Sequence, residues 1–167
     1  SILVTIGAEL VAQGALQDPE KGRALIERLR SIDPGFVGYG LARPDGQLML
    51  VSTVPAGRPL PNLMDSPETH ASFEEAVNTR RFVIGRPYLI KHLAQWGIPI
   101  RVPIIAADDQ IVAVMTAAYA LRGNSVAWAN MKLPHGLFVR ILRDDGYRVF
   151  ADPLPAGLSE EELHRVY

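Results

Sequence analysis

The sequence contains no cysteine, and that absence removes several kinds of chemistry at once. There is no disulfide framework, no thiolate nucleophile, and no Cys-based zinc or iron–sulfur site. Also missing is any run of the roughly 20 apolar residues needed to cross a bilayer. The nearest candidate, residues 1–16, is interrupted by Glu9 and Gln13 and does not read as an intact signal peptide. Nor is there an excess of one charge: 17 Lys and Arg stand against 18 Asp and Glu, a formal net charge of −1. No basic stripe offers itself to nucleic acid and no Lys/Arg cluster to a membrane surface. What the chain does have is 167 residues, 48% of them hydrophobic. That suffices for one domain with a real core, or for one domain and part of a second.

The first 33 residues form a helical pattern. Leu3, Ile6, Leu10 and Val11 make one apolar stripe, and Leu25, Ile26, Leu29 and Ile32 make a second, expected to face inward. Asp18-Pro19-Glu20 lies between them as a cap, a first-turn proline and a first-turn acid. The arm is therefore expected to break near Asp18. From Phe36 the period becomes two. Phe36, Gly38, Gly40 and Ala42 share a small face, expected to receive the preceding helix closely. Arg43-Pro44-Asp45-Gly46 turns the chain, and Leu48, Leu50 and Val51 return it. Residues 54–67 are a Pro-rich loop. Ser66-Pro67-Glu68 opens a helix with Phe73, Ala76 and Val77 inward, and residues 82–84 form a short strand.

Residues 96–107 form a long strand with Ile98, Ile100, Val102 and Ile104 on one face. Pro99 and Pro103 lie on the other and cannot donate to a ladder, so one side of this strand is expected to be bulged or unpaired. Asp108-Asp109-Gln110 leads into an Ala-rich strand over 111–121. Residues 125–131 suggest a helical turn or two. A third hairpin, 137–143 with 147–151, closes at Asp144-Asp145-Gly146. Ser159-Glu160-Glu161-Glu162 is a capping box, with Leu158 and Leu163 as a hydrophobic staple. A helix started there has about two turns before Tyr167, which is marginal alone, so the natural chain is expected to continue. Three hairpins, an inserted helix and a helical arm predict an α+β fold with an antiparallel sheet.

Signs of catalysis are sparse. There is no Gly-x-Ser-x-Gly elbow and no phosphate loop, and Gly38-Tyr39-Gly40 lacks the third glycine of a dinucleotide fingerprint. His70, His92, His135 and His164 lack metal-ligand spacing; the nearest pair is 22 residues apart. The acidic pairs sit in hairpin turns, where Asp is favoured for its own backbone bonds. No cofactor is indicated. What remains is a cluster of Arg80, Arg81, Arg86, Tyr88, Lys91, His92, Trp96 and Arg101. A guanidinium fork binds a carboxylate bidentately, and Trp and Tyr can wall a pocket. The candidate ligand contacts are Arg86, Tyr88, Trp96 and Arg101, joined by Tyr39, His70 and Tyr119. The competing description is a solvated sheet face with Arg stems lying along it.

The order of these pieces resembles the Cache (PAS-like) extracytoplasmic sensor domains of bacterial transmembrane receptors. The resemblance rests on Asp33-Pro34-Gly35-Phe36 leading to Ala42-Arg43-Pro44-Asp45-Gly46-Gln47; on the helix around Phe73-Glu74-Glu75-Ala76; on Phe82-Val83-Ile84-Gly85-Arg86-Pro87-Tyr88; and on Ile98-Pro99-Ile100-Arg101-Val102-Pro103-Ile104 running through the Asp108 turn to Ala113-Val114-Met115. It implies a long N-terminal helix, a sheet of about five antiparallel strands, and a pocket between sheet and inserted loop. It implies a non-enzymatic, periplasmic sensor that binds a small molecule. A histidine kinase, diguanylate cyclase or chemoreceptor output would lie elsewhere in the chain, and membrane contact would come only through flanking segments. Residues 1–33 are then the helical arm and 34–134 the sensor domain. Residues 135–167 are the opening of a second, membrane-proximal unit of a double-Cache arrangement. The stripe of Leu3, Ile6 and Leu10 is a candidate homodimer face. The sequence departs from many relatives at Glu68-Thr69-His70-Ala71-Ser72-Phe73, where an Asp-Arg-aromatic-aromatic run is usual, and at Gln110, where glycine is common. The Tyr/Arg/Trp signature of amino-acid-binding relatives is not evident. Two other readings stay open: a ligand-free structural or dimerisation module, and an intracellular PAS- or GAF-like cofactor domain.

Overall fold

The computed structural model describes residues 2–123, 128 and 131–165. Two helices come first, α1 (Ile2–Ala12) and α2 (Glu20–Arg30). They are separate because Gly14 takes a left-handed φ of +82°, which lets the Ala15 amide bond back to Leu10 O at 3.0 Å. Pro19 then starts the next helix. The long N-terminal helix implied by the resemblance is thus two 11-residue helices. Leu3, Ile6, Leu10, Ile26 and Leu29 are buried as expected, but Ile32 is 65% exposed. The helix has ended at Arg30, so Ile32 no longer follows its inward stripe.

The main sheet is antiparallel and has six strands: β1 (Phe36–Ala42), β2 (Leu48–Val51), β3 (Val83–Ile84), β4 (Tyr88–Ile90), β5 (Gln95–Ile105) and β6 (Ile111–Ala120). Their order is β2-β1-β6-β5-β3, with β4 also on β5. β5 pairs with β6 from Gly97 to Ile105. Its other side is interrupted, as its prolines require. Val83 and Ile84 pair with Arg101 and Ile100, and Tyr88 to Ile90 pair with Gly97 to Gln95. Pro99 faces the gap between, where its carbonyl accepts from the Gly85 amide at 2.8 Å. β4, three residues straight after Pro87, is a strand the sequence pattern did not show.

The sheet divides two cores. On one face α1 and α2 pack against Leu41, Leu50, Val102, Ile104 and Met115. On the other, α3 (Pro67–Thr79) and the loop before it cover Ala42, Leu48 and Val114 with Leu63 and Phe73. The expectation for β1 is corrected here. The helices meet the Tyr39 and Leu41 face, and the small face of Gly38 and Gly40 turns the other way. The larger side chains of β1 give the helices apolar area to bury, which glycine cannot offer.

A separate two-stranded sheet, β7 (Val139–Leu142) with β8 (Arg148–Asp152), buries Val149 and Phe150 with Ile98 and Leu121. α4 (Glu160–Leu163) begins with the capping box read from the sequence. The Glu162 amide donates to Ser159 Oγ at 3.2 Å, and Ser159 N donates to Glu162 Oε2 at 2.8 Å. α4 is held down by Glu160, whose carboxylate accepts from the Arg122 guanidinium and faces His164 Nε2 at 3.0 Å. The His164 ring is buried beside Trp96 and Tyr147. The helical turn expected over 125–131 lies outside the described residues, apart from Trp128 and Met131.

Candidate ligand-binding site

A cavity of about 510 Å³ lies between the small face of the sheet and the layer formed by loop 54–67, α3 and the turn after β4. That volume is in the range of small-molecule sites. Its floor is made by two cross-strand rows in which every side chain but that of Arg101 is small. Gly40 pairs with Thr116 and Thr116 with Arg101; Gly38 pairs with Ala118 and Ala118 with Pro99. There is no room for more. A Cβ at Gly40 would stand 2.8 Å from Thr116 Oγ1 and 2.9 Å from the backbone oxygen of Leu50.

The roof is anchored. Leu63 N donates to Gly46 O at 2.9 Å, and Gln47 Nε2 donates to Leu60 O at 3.1 Å, so the β1–β2 turn holds the Pro-rich loop. Thr69 Oγ1 donates to Leu63 O at 2.7 Å and fixes the loop to α3. At the mouth, a 3₁₀ turn (Lys91–Leu93) approaches the end of β2, and His92 Nε2 lies 3.2 Å from Thr53 Oγ1. The acids that border the cavity, Asp65 and Glu68, are both exposed. The Ser66 hydroxyl, and then the backbone, hold the Glu68 carboxyl below its ordinary value, and Lys91 adds to this.

Arg101 is the chemical centre of the cavity. It is 3% exposed, between Pro99 and Pro103 and on the face opposite the isoleucines. Nη1 has a long 3.5 Å contact with Ile100 O, while Nε and Nη2 are buried without any hydrogen-bond partner. Burial pushes the guanidinium below its ordinary value, and the charge of the neighbouring Tyr88 and a side-chain hydrogen bond to it oppose that shift. An arginine stays charged through such shifts, so a desolvated cation lies at the wall of the cavity, with Nε and Nη2 covered and unpartnered.

The candidate residues divide. Tyr88 and Arg101 meet at the cavity. Tyr39 borders it too, but its ring lies in the helix-side core, stacked on Phe36 at 5.0 Å. Burial, and then the charge of Asp33, push its hydroxyl up to about 12. Tyr119 is edge-on to Phe36 and lines a second cavity beside the β7–β8 hairpin. Arg86 lies over the Tyr147 ring at 4.5 Å, Trp96 packs near His164, and His70 faces Glu74 at 3.5 Å on the outside of α3. None of these last three borders the first cavity. Thr116, Leu63 and Ile90 do, and no pattern in the sequence marks them. A threonine among alanines and a leucine in a loop become wall residues only once the layers close. Among the described residues no group of three or more His, Asp or Glu is placed to hold a metal ion, and no helix is long and apolar enough to cross a membrane.

No protein-family model matches the chain, and no curated protein matches it. Solved structures do. The ligand-binding domain of the Campylobacter jejuni chemoreceptor Tlp3, in complex with 4-methylisoleucine, superposes with a TM-score of 0.64 at 15% identity, over 93% of this chain and 63% of that one. The ligand-binding domain of the Pseudomonas aeruginosa PAO1 amino acid chemoreceptor PctB, in complex with L-Gln, gives 0.63 at 18% identity, over 99% and 63%. The sensor domain of the Vibrio cholerae histidine kinase DctB gives 0.55 at 14%, over 87% and 53%. The chain thus spans between about half and two thirds of the length of these domains. At such identities the likeness is one of fold, and the fold of this chain is that of the Cache-type sensor domains.

Proposed function

We propose that the chain is the ligand-sensing domain of a bacterial transmembrane receptor, standing on the periplasmic side of the inner membrane. A small molecule binds between the sheet and loop 54–67, and Arg101 takes its carboxylate. One observation carries the reading: a buried guanidinium in a cavity wall with Nε and Nη2 unpartnered. Leaving such a charge unpaired costs several kcal/mol. A carboxylate accepting from both free donors offsets that cost in a bidentate, charge-assisted pair. The relatives in fold support the same use, since two of them are ligand-binding domains solved with 4-methylisoleucine and L-Gln.

Occupancy draws the two walls of the cavity together across the mouth, where His92 already reaches Thr53. The sheet is shared with the opposite core, so the change reaches α1 and α2 through Ile100 and Val102, the neighbours of Arg101 on β5. A shift of the usual size for coupled sites, about 1–3 kcal/mol, would pass along the terminal helices to a cytoplasmic output of the chemoreceptor, histidine kinase or diguanylate cyclase kind. Residues 135–167, with their own small sheet, are the start of a membrane-proximal second unit in this reading.

Isothermal titration of the chain with a panel of organic acids tests it. At least one carboxylate should bind, and Arg101→Gln should weaken that binding by about 3 kcal/mol, on the order of a hundredfold. Binding that survives the substitution unchanged, or no binding of any acid at millimolar concentration, would sink the proposal.

A further inference from the structure

We infer that the ligand is a monocarboxylate with an uncharged, apolar body, and that the cavity rejects the α-amino acid of the same skeleton. This rests on the role given to Arg101 above. The charges around the cavity are unevenly placed. Of the ionisable residues that border it, Arg101 is the buried cation, whereas Asp65, Glu68, Lys91 and His92 are all exposed at the mouth. One carboxylate therefore neutralises the interior.

An α-ammonium is attached to the carbon next to the carboxylate, so it must travel to the depth of Arg101. The wall there is Thr116, Gly38, Ala118 and Tyr88, with no carboxylate among them. The ammonium would be stripped of water, left without an opposite charge and set close to a guanidinium, each of which opposes binding. Glu68 does not serve as the missing partner, because it accepts from the Ser66 hydroxyl and has Lys91 beside it at the surface.

The rest of the interior suits hydrocarbon. Leu48, Leu63 and Ile90 are buried lining residues, and Val51 and Val54 stand partly buried among them. An aliphatic or aromatic body there leaves water at each of these contacts. A second carboxylate gains nothing. It would emerge among Asp65 and Glu68, which already border the cavity, Glu68 with Lys91 beside it.

Titration of the wild-type chain distinguishes these outcomes without depending on a variant that must fold. The probes are a monocarboxylate series from acetate through hexanoate with 3-methylpentanoate and phenylacetate, then isoleucine, which is 3-methylpentanoate carrying an α-ammonium, and glutarate as a dicarboxylate. The expected result is that a monocarboxylate binds best and that isoleucine binds at least tenfold more weakly than 3-methylpentanoate. Isoleucine or glutarate binding as tightly as any monocarboxylate overturns the inference and leaves the carboxylate-binding role of Arg101 standing. Absence of binding by every acid overturns both.

Discussion

Arg101 is held where a charge is costly, and its neighbours explain how. Alternation along β5 puts it on the face opposite the isoleucines, in one cross-strand row with Thr116 and Gly40. If its purpose is a ligand, the empty protein should be better off without it. Arg101→Met is expected to raise the stability of the ligand-free chain by about 1–3 kcal/mol, because a methionine of similar length fills the space without a desolvated charge. Urea unfolding measures this; a large loss of stability would show the guanidinium to be structural instead. Gly40 makes the opposite case. Its added methyl group would press on the Leu50 carbonyl, which belongs to backbone and cannot swing aside. Gly40→Ala should cost about 1–3 kcal/mol in the same assay and should weaken ligand binding, since β2 borders the cavity.

Among the elements, α4 shows how a short helix is kept in place. Its four residues are too few to persist alone. It depends on its capping box and on Glu160, set between Arg122 and His164. Burial raises the Glu160 carboxyl, but bonds from His164 and Arg122 outweigh it and the net shift is downward from 4.5. A depressed carboxylate stabilises the folded form above its unfolded value and loses that contribution as the pH falls through the folded one. Docking of α4 should accordingly be complete above about pH 4.5 and weaken below it. Trp96, whose ring centre is 5.3 Å from that of His164, reports the change by fluorescence. Glu160→Gln should remove the acid transition; an unchanged transition would place its cause elsewhere.

The elements also show what a linear reading can reach. The three hairpins were legible because each pairs a period of two with an Asp-bearing turn, and the α1–α2 break was legible from Asp18-Pro19. The interrupted edge of β5 followed from two prolines that cannot donate. Arg101 was legible by simple alternation along the same strand. β4 was not, since three residues are too few to display a period. The glycine face of β1 stands out in the sequence, but the layer it meets is the cavity side and not the helices. Small residues announce a close approach without saying which layer makes it. Arg86, Trp96 and Tyr119 looked similar to Tyr88 in sequence. Their separation depends on the β7–β8 hairpin, whose docking onto the sheet no local pattern encodes.

At the scale of the whole molecule, one sheet carries the cavity on one side and the N-terminal helices on the other, so anything that stiffens the sheet is felt by both. A ligand at a hundred times its dissociation constant adds about 2.7 kcal/mol. For a chain of this size that corresponds to a rise of roughly 5–10 °C in melting temperature. Hydrogen exchange should slow in loop 54–67 and residues 91–94, and also in α1 and α2, if the two faces move as one. Protection confined to the cavity side would mean that the helices are not coupled to it.

The divided strand opposite β5 has a bearing on how copies of this molecule can meet. A sheet border is a template for any other chain with free amides, and proteins crowded on a surface are exposed to that hazard. Here the border consists of pieces two and three residues long, parted at Gly85-Arg86-Pro87 by a proline and a cation. A visiting strand finds no continuous row of donors to zip along. The fold thus discourages fibre-like stacking through this side and leaves self-association to side-chain surfaces, where it can be specific and reversible.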